Sequence, residues 1–265
     1  MEQPVLCAMH ISAAYSGQPE VLKDLQLEIR PAEILGLVGE SGSGKSTLAL
    51  AILRLLYLKG CQQSGTIQFR GQDLMALSEK GMRKLRGKEI ALVLQSPLSS
   101  LNPALKIGSQ LKEAWRTHVK DSSRSFESIA PELMASVSLP TDAGFLKRHP
   151  KELSVGQAQR VLIAMAIMHR PPLLIADEPT SALDIITQKE ILELFRHLSR
   201  ELNMAVLFIS HDLPAVAFLC DRMAILRNGE IVEIAATQGI LKNPQHSYTQ
   251  QLLASVPKFD IDRAG

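Results

Sequence analysis

Apolar and polar positions alternate along residues 5–14 and 21–29, on either side of Ser16-Gly17-Gln18-Pro19, and this pattern predicts an antiparallel hairpin. A third strand is expected at 66–69, after Ser64-Gly65, then a turn at Gly71-Gln72-Asp73 and a short helix over 78–85. Two uninterrupted apolar runs, Ile34-Leu35-Gly36-Leu37-Val38 and Ile90-Ala91-Leu92-Val93-Leu94, read instead as strands buried on both faces. From Ser96 to about Ser154 the period changes to that of helices, over 107–119 and 126–139, punctuated by Pro97, Asn102-Pro103 and Pro140. No strand is expected within this insertion, and the polar stretch 120–125 reads as a loop. Trp115, the single tryptophan, is expected to pack inside it. Downstream the pattern returns to helix (187–202), strand (205–209), helix (213–219) and two strands (223–226, 231–234) around Asn228-Gly229, a strong hairpin turn. Helical turns from Thr237 and Ser247 close the pattern.

The chemistry sits at the ends of the buried strands. The first runs into Gly39-Glu40-Ser41-Gly42-Ser43-Gly44-Lys45-Ser46-Thr47 and then a helical run over 48–56. Glycines let successive backbone N–H groups turn inward onto phosphate oxygens, and the helix beginning near Lys45 adds the positive end of its dipole. Lys45 then neutralises the outer phosphates, and the Ser46 hydroxyl is placed to ligate Mg²⁺. A second strand, 173–176, ends in Asp177 and Glu178, one carboxylate for the metal and one to activate a water. Such a chain is expected to bind a nucleoside triphosphate.

Composition narrows the class. The 265 residues suffice for one large α/β domain, or for a core domain with a smaller inserted one. With 29 basic and 27 acidic residues the net charge is +2, so neither nucleic acid nor an anionic lipid surface is implied as a partner. A hydrophobic content of 46% and a mean hydropathy of +0.06 point to a surface covered by partners. The apolar runs, such as 161–168, fall far short of the ~20 residues that span a bilayer, and Met1-Glu2-Gln3-Pro4-Val5 does not read as a signal peptide. Cys7, Cys61 and Cys220 are scattered, which fits buried thiols in a reducing compartment.

Taken in order, these segments resemble the ATP-binding subunits of ABC transporters over about residues 5–253. Residues 39–46 match Walker A, 174–177 Walker B, Glu178 the catalytic carboxylate, and Ser181-Ala182-Leu183-Asp184 the D-loop. Leu153-Ser154-Val155-Gly156-Gln157 matches the signature, with Val155 where glycine is usual. Gln95 matches the Q-loop glutamine, His211 the switch histidine and Tyr15 the aromatic that stacks on adenine. The resemblance implies an α/β P-loop NTPase core of ABC type with an antiparallel β subdomain and an inserted all-helical subdomain. It divides the chain into a catalytic core (1–95 and 170–240), a helical signature subdomain (96–169) and a tail (241–265). It implies ATP and Mg²⁺ as ligands, with Gly39, Glu40, Ser41, Gly42, Ser43, Gly44, Lys45, Ser46, Thr47, Gln95 and Tyr15 around the nucleotide. Ser46, Gln95 and Asp177 would hold the metal, and Glu178, His211 and Lys45 would carry the chemistry.

It further implies a head-to-tail pair of ATPase subunits, two integral membrane permeases and an extracytoplasmic solute-binding protein, with this chain peripheral at the cytoplasmic face of the inner membrane. Ser99-Ser100-Leu101-Asn102-Pro103 and Asn243-Pro244-Gln245-His246-Ser247-Tyr248-Thr249 resemble the peptide and nickel importers, with Ser247 in a usual proline position. Here His246 reads as a helix start rather than a metal ligand. The tail lacks the cysteines of longer members, so no iron-sulfur cluster is expected, and the cargo leans slightly to nickel. A soluble ATPase of the same type acting on nucleic acid or the ribosome is the alternative; an unrelated P-loop kinase or GTPase is a weaker one. Val155 adds a β-branched side chain and excludes φ > 0 conformations, which predicts a weakened signature and hence a non-identical partner subunit.

Overall fold

The computed structural model describes residues 3–119 and 125–255. Its first half runs β1 (Leu6–Tyr15), β2 (Glu20–Ile29), β3 (Ile34–Val38), α1 (Lys45–Ile52), β4 (Cys61–Phe69), β5 (Gln72–Asp73), α2 (Glu79–Leu85) and β6 (Ile90–Val93). The helical insertion follows as α3 (Pro97–Ser100), α4 (Ile107–His118), α5 (Phe126–Ser136), α6 (Ala143–Leu146) and α7 (Val155–Ile167). The chain then continues through β7 (Leu173–Asp177), α8 (Ile185–Glu201), β8 (Ala205–Ser210), α9 (Leu213–Leu219), β9 (Arg222–Arg227), β10 (Glu230–Ala236), α10 (Thr237–Lys242) and α11 (Ser247–Ala254).

Two sheets result. The predicted hairpin pairs as β1 with β2, and β4 and β5 complete an antiparallel sheet in the order β2-β1-β4-β5. The larger sheet has the order β10-β9-β3-β8-β7-β6; only the edge pair β9 and β10, joined by the Asn228-Gly229 turn with both residues at positive φ, is antiparallel. Both faces of the large sheet are covered, which is why its strands read as continuous apolar runs. Leu35, Leu37, Leu173, Ile175, Leu207 and Ile209 face the cluster shared with the small sheet. Val38, Leu174, Ala176, Val206 and Phe208 face the other, which continues without a break into Leu111, Leu133, Phe145 and Val161 of the insertion. The insertion is thus cored onto the sheet rather than tethered to it.

Several boundaries differ from the sequence reading. The helix expected over 48–56 starts at Lys45 and ends at Ile52; Arg54 turns the chain at φ 50°, and 56–59 form a separate 3₁₀ turn. β4 begins five residues before the predicted strand, because its polar start at Gln62, Gln63 and Ser64 pairs with the far end of β1 and carries no apolar alternation. The expected turn at Gln72-Asp73 is a two-residue strand. Three short helical turns, α3, α6 and 150–152, are too brief for periodicity to reveal. The predicted loop at 120–125 lies, apart from Ser125, outside the described residues. Trp115 packs within the insertion as expected, stacked on His169 with ring centroids 5.2 Å apart. No cysteine is paired, and Cys61 and Cys220 are buried.

Candidate functional site

Because β3, β8, β7 and β6 are parallel, their C-terminal ends lie on one edge of the sheet. Order reverses around β3, which is flanked by β8 and β9, and ligands of open α/β sheets bind at such a switch point. That edge gathers the phosphate loop after β3, Asp177 and Glu178 after β7, His211 after β8 and Gln95 after β6. They surround a cleft of about 560 Å³ lined by Val21, Ser41, Gly42, Gly44, Lys45, Ser46, Thr47, Gln95, Glu178 and His211.

The loop is shaped by its glycines. Gly44 takes φ 109° to start α1, and a Cβ there would lie 3.0 Å from the Val21 carbonyl. A Cβ on Gly39 would stand 2.2 Å from the Leu226 carbonyl oxygen, so only glycine fits beneath β9. Lys45 is buried, and its ammonium donates to the Gly39 and Glu40 carbonyls, both at 2.8 Å. Burial lowers its pKa, while Glu178 and Asp177 pull in the opposite direction.

The two carboxylates differ in environment. Asp177 is desolvated, which raises its pKa against a hydrogen bond from Ser46, and its Oδ1 is buried without a partner. A buried carboxylate oxygen without a donor, beside a serine hydroxyl, fits a hard divalent cation that takes oxygen ligands. Glu178 leaves the strand at φ 47°, a rare conformation for a non-glycine residue, while its N–H continues the ladder to Ile209 O at 2.9 Å. This turn swings its side chain into the cleft. There Oε1 lies 3.0 Å from His211 Nδ1, and Oε2 accepts from Gln95 Nε2 at 3.2 Å. His211 is set by its neighbours: Asp212 caps α9 through the Ala215 N–H and accepts from Gln188 of α8 at 2.6 Å.

The signature lies outside this cleft, at the exposed N-terminus of α7. Ser154 Oγ accepts from the Gln157 N–H at 3.2 Å and Gln157 Oε1 from the Ser154 N–H at 3.1 Å, a reciprocal capping box. The hydroxyl proton of Ser154 stays free to donate to an anion. Gly156 is required by packing, since a Cβ would meet Thr187 Cγ2 at 2.6 Å. Val155 is the first helical residue and is absent from the positive-φ positions, so the expected backbone exclusion does not operate there. Its side chain, 36% exposed, stands at the helix end. Asp184 caps α8, accepting from Ile186 and Thr187 N–H at 3.1 and 3.0 Å.

Tyr15 ends β1 half-buried against the core shared with the small sheet and is not among the residues lining the cleft. Sequence reasoning missed Val21, which lines the cleft from β2, and the exposed pair Ile185 and Ile186 beside the signature, 84% and 75% accessible. Apolar residues at a helix start carry no period that marks them as surface.

This fold and cleft define a P-loop nucleoside triphosphatase. The ABC transporter family matches residues 22–181, and the C-terminal region of oligopeptide/dipeptide transporters matches 232–264. The chain belongs to the ATP-binding subunits of ABC transporters and is an ATPase of that type. It is 42% identical to an oligopeptide transport ATP-binding protein of Bacillus subtilis, over 93% of this chain and 69% of the relative. It is 40% identical to a probable D,D-dipeptide transport ATP-binding protein of Escherichia coli, over 99% and 81%. An ATP-binding cassette solved as a dimer in a post-hydrolysis state with ADP and Pi superposes with a TM-score of 0.75 at 26% identity, covering 88% of this chain and 98% of the other. A second, cbiO1 of Clostridium perfringens, gives 0.80 at 25% identity, over 91% and 92%.

Proposed function

We propose that this chain hydrolyses MgATP at the interface of two ATPase subunits to drive uptake of short peptides through separate membrane permeases. The observation that carries the chemistry is the convergence of Lys45, Asp177, Glu178, Gln95 and His211 on one sheet edge. Asp177, the Ser46 hydroxyl and the amide oxygen of Gln95 would hold Mg²⁺, which supplies charge neutralisation on the triphosphate when bound. Loop N–H groups and Lys45 bind and orient the phosphates. Glu178, tethered by Gln95 and His211, polarises the attacking water, and His211 turns its exposed ring to the γ-phosphate. Tyr15 supports the adenine from the rim of the small sheet.

The peptide reading rests on the names of the relatives and on the tail match; those relatives give no support to the lean toward nickel. Among the described residues no helix is long and apolar enough to cross a membrane, and no group of three or more His, Cys, Asp or Glu is arranged to hold a metal. Integral membrane permeases from other chains supply the pore, this chain sits peripherally at the cytoplasmic face of the inner membrane, and an extracytoplasmic solute-binding protein delivers the cargo. Vesicles holding the assembled complex should accumulate oligopeptides or dipeptides with ATP inside, and free or chelated Ni²⁺ at background; accumulation of Ni²⁺ alone would overturn the cargo.

The signature acts on the partner's nucleotide. Helix-end N–H groups of α7 and the Ser154 hydroxyl face outward, where a γ-phosphate presented across an interface meets a positive dipole end. Val155, with Ile185 and Ile186 on the neighbouring helix start, makes this rim apolar. The partner is therefore a non-identical subunit with its own signature completing the Lys45 site. Replacing Val155 by Gly is expected to raise ATPase of the complex about two- to fivefold by letting the backbone approach the triphosphate. Unchanged ATPase and uptake would mean that the valine is tolerated and the asymmetry does not exist.

A further inference from the structure

One arginine ties the signature helix α7 across the boundary between the insertion and the core. Arg160 lies on α7 downstream of Ser154, with its side chain only 12% exposed. One arm of its guanidinium donates to the Val137 carbonyl at the end of α5, at 3.0 Å, and the other to the Glu190 carboxylate of α8, at 2.9 Å. A planar fork reaches two acceptors in fixed directions, which an ammonium on a flexible stem does not. Nearer the signature, Gly156 lies so close to α8 that a Cβ there would stand 2.6 Å from Thr187 Cγ2. The two contacts, 156 with 187 and 160 with 190, are about one turn apart on each helix, so together they fix α7 against α8 in register and in rotation.

The start of α8 is itself tied to Glu178. The Ser181 N–H and hydroxyl both donate to the Glu178 carbonyl, at 3.4 and 3.2 Å. Asp184, which caps α8, also accepts from the Thr187 hydroxyl at 2.7 Å. A connected path therefore runs from Glu178 through the turn after it to Thr187 and Glu190, and across Arg160 to the helix that Ser154 caps. Because Glu190 is 56% exposed, the ion pair adds little to stability, and what it supplies is direction.

We propose that Arg160 is a positioning residue for the ATPase: by holding α7 to α8 and to the end of α5, it sets the Ser154 end of the signature relative to the turn that follows Glu178. This rests on reading 153–157 as the signature that covers the partner's nucleotide. Arg160 is not among the residues lining the Lys45 cleft, and it acts through α7. Its loss therefore slows turnover in the closed pair without weakening the hold of this chain on its own ATP.

ATP hydrolysis by the assembled transporter tests it, with kcat and KM measured separately, beside binding of labelled ATP and Tm for the full chain alone. Arg160→Gln should lower kcat about fivefold, with KM and ATP binding within about twofold and Tm within about 3 °C. Arg160→Lys, which keeps the charge and loses the fork, should lower kcat about twofold. Glu190→Ala, at an exposed helix position where folding is not at risk, should lower kcat about threefold. The double variant Arg160→Gln with Glu190→Ala should be no worse than Arg160→Gln, because Glu190 acts through Arg160. Lys189→Ala, on the exposed face of α8, should match wild type. Ser154→Ala is run alongside: unchanged kcat there removes the signature reading and this proposal with it. If Ser154→Ala lowers kcat while Arg160→Gln or Glu190→Ala matches wild type, the positioning role alone is overturned. It is overturned equally if the two variants add fully, or if Arg160→Gln lowers kcat, ATP binding and Tm together.

Discussion

Glu178→Gln should lower the ATPase rate of the assembled complex by about 10²- to 10⁴-fold while ATP binding stays within about twofold of wild type. The substitution keeps the shape of the side chain, and an amide can still meet Gln95 and His211, so the cleft keeps its form. What is lost is the charge that polarises water. The positive φ of Glu178 makes the effect specific to this position: the turn after β7 aims the side chain at the cleft, whereas Asp177, one residue earlier, is half-buried beside Ser46, where it would hold Mg²⁺. Equilibrium binding of labelled ATP and steady-state phosphate release check the two halves separately. Wild-type turnover in this variant would place the base elsewhere.

Lys45→Ala should be nearly as severe, lowering turnover by about 10²- to 10³-fold and weakening ATP binding as well. In contrast to Glu178, Lys45 acts in the proposed mechanism as a ground-state ligand of the phosphates. Its ammonium is buried, held by two carbonyls and flanked by two carboxylates, so its removal leaves Asp177 and Glu178 without the local positive charge that favours an incoming triphosphate. Loss of both binding and turnover, against loss of turnover alone in Glu178→Gln, separates the roles of the two residues. Retained ATP affinity in Lys45→Ala would contradict the phosphate-binding role.

Much of the catalytic edge was legible because its residues stand at the ends of strands whose apolar runs are unmistakable. Buried parallel strands must be apolar throughout, and the abrupt change to glycine, serine or carboxylate at their ends marks where they open onto a ligand. The convergence of Gln95, Glu178 and His211, separated by up to 116 positions along the chain, follows once β6, β7 and β8 are parallel neighbours. The helical insertion was legible as a change of period. Its attachment was not, since α7 belongs to the core of the large sheet as much as to the insertion, and packing between distant elements leaves no local pattern.

Misreadings arose where backbone geometry decides. Val155 looked like a residue forced into glycine's conformational space, but the chain passes through it as the ordinary first turn of α7, and the glycine that packing demands is Gly156, against Thr187. Val21, which lines the cleft from β2, stands in an alternating strand pattern that gives no sign of a site residue.

The central claim is that hydrolysis at the Lys45–Glu178 cleft powers transport. Its most direct measurement is ATP-dependent peptide accumulation in vesicles reconstituted with this chain and its partner subunits, comparing wild type with Glu178→Gln at equal occupancy by ATP. Accumulation should follow phosphate release in the wild type and fall to the level of ATP-free vesicles in the variant. Undiminished accumulation by the variant, or none by a wild-type complex that hydrolyses ATP, would contradict it.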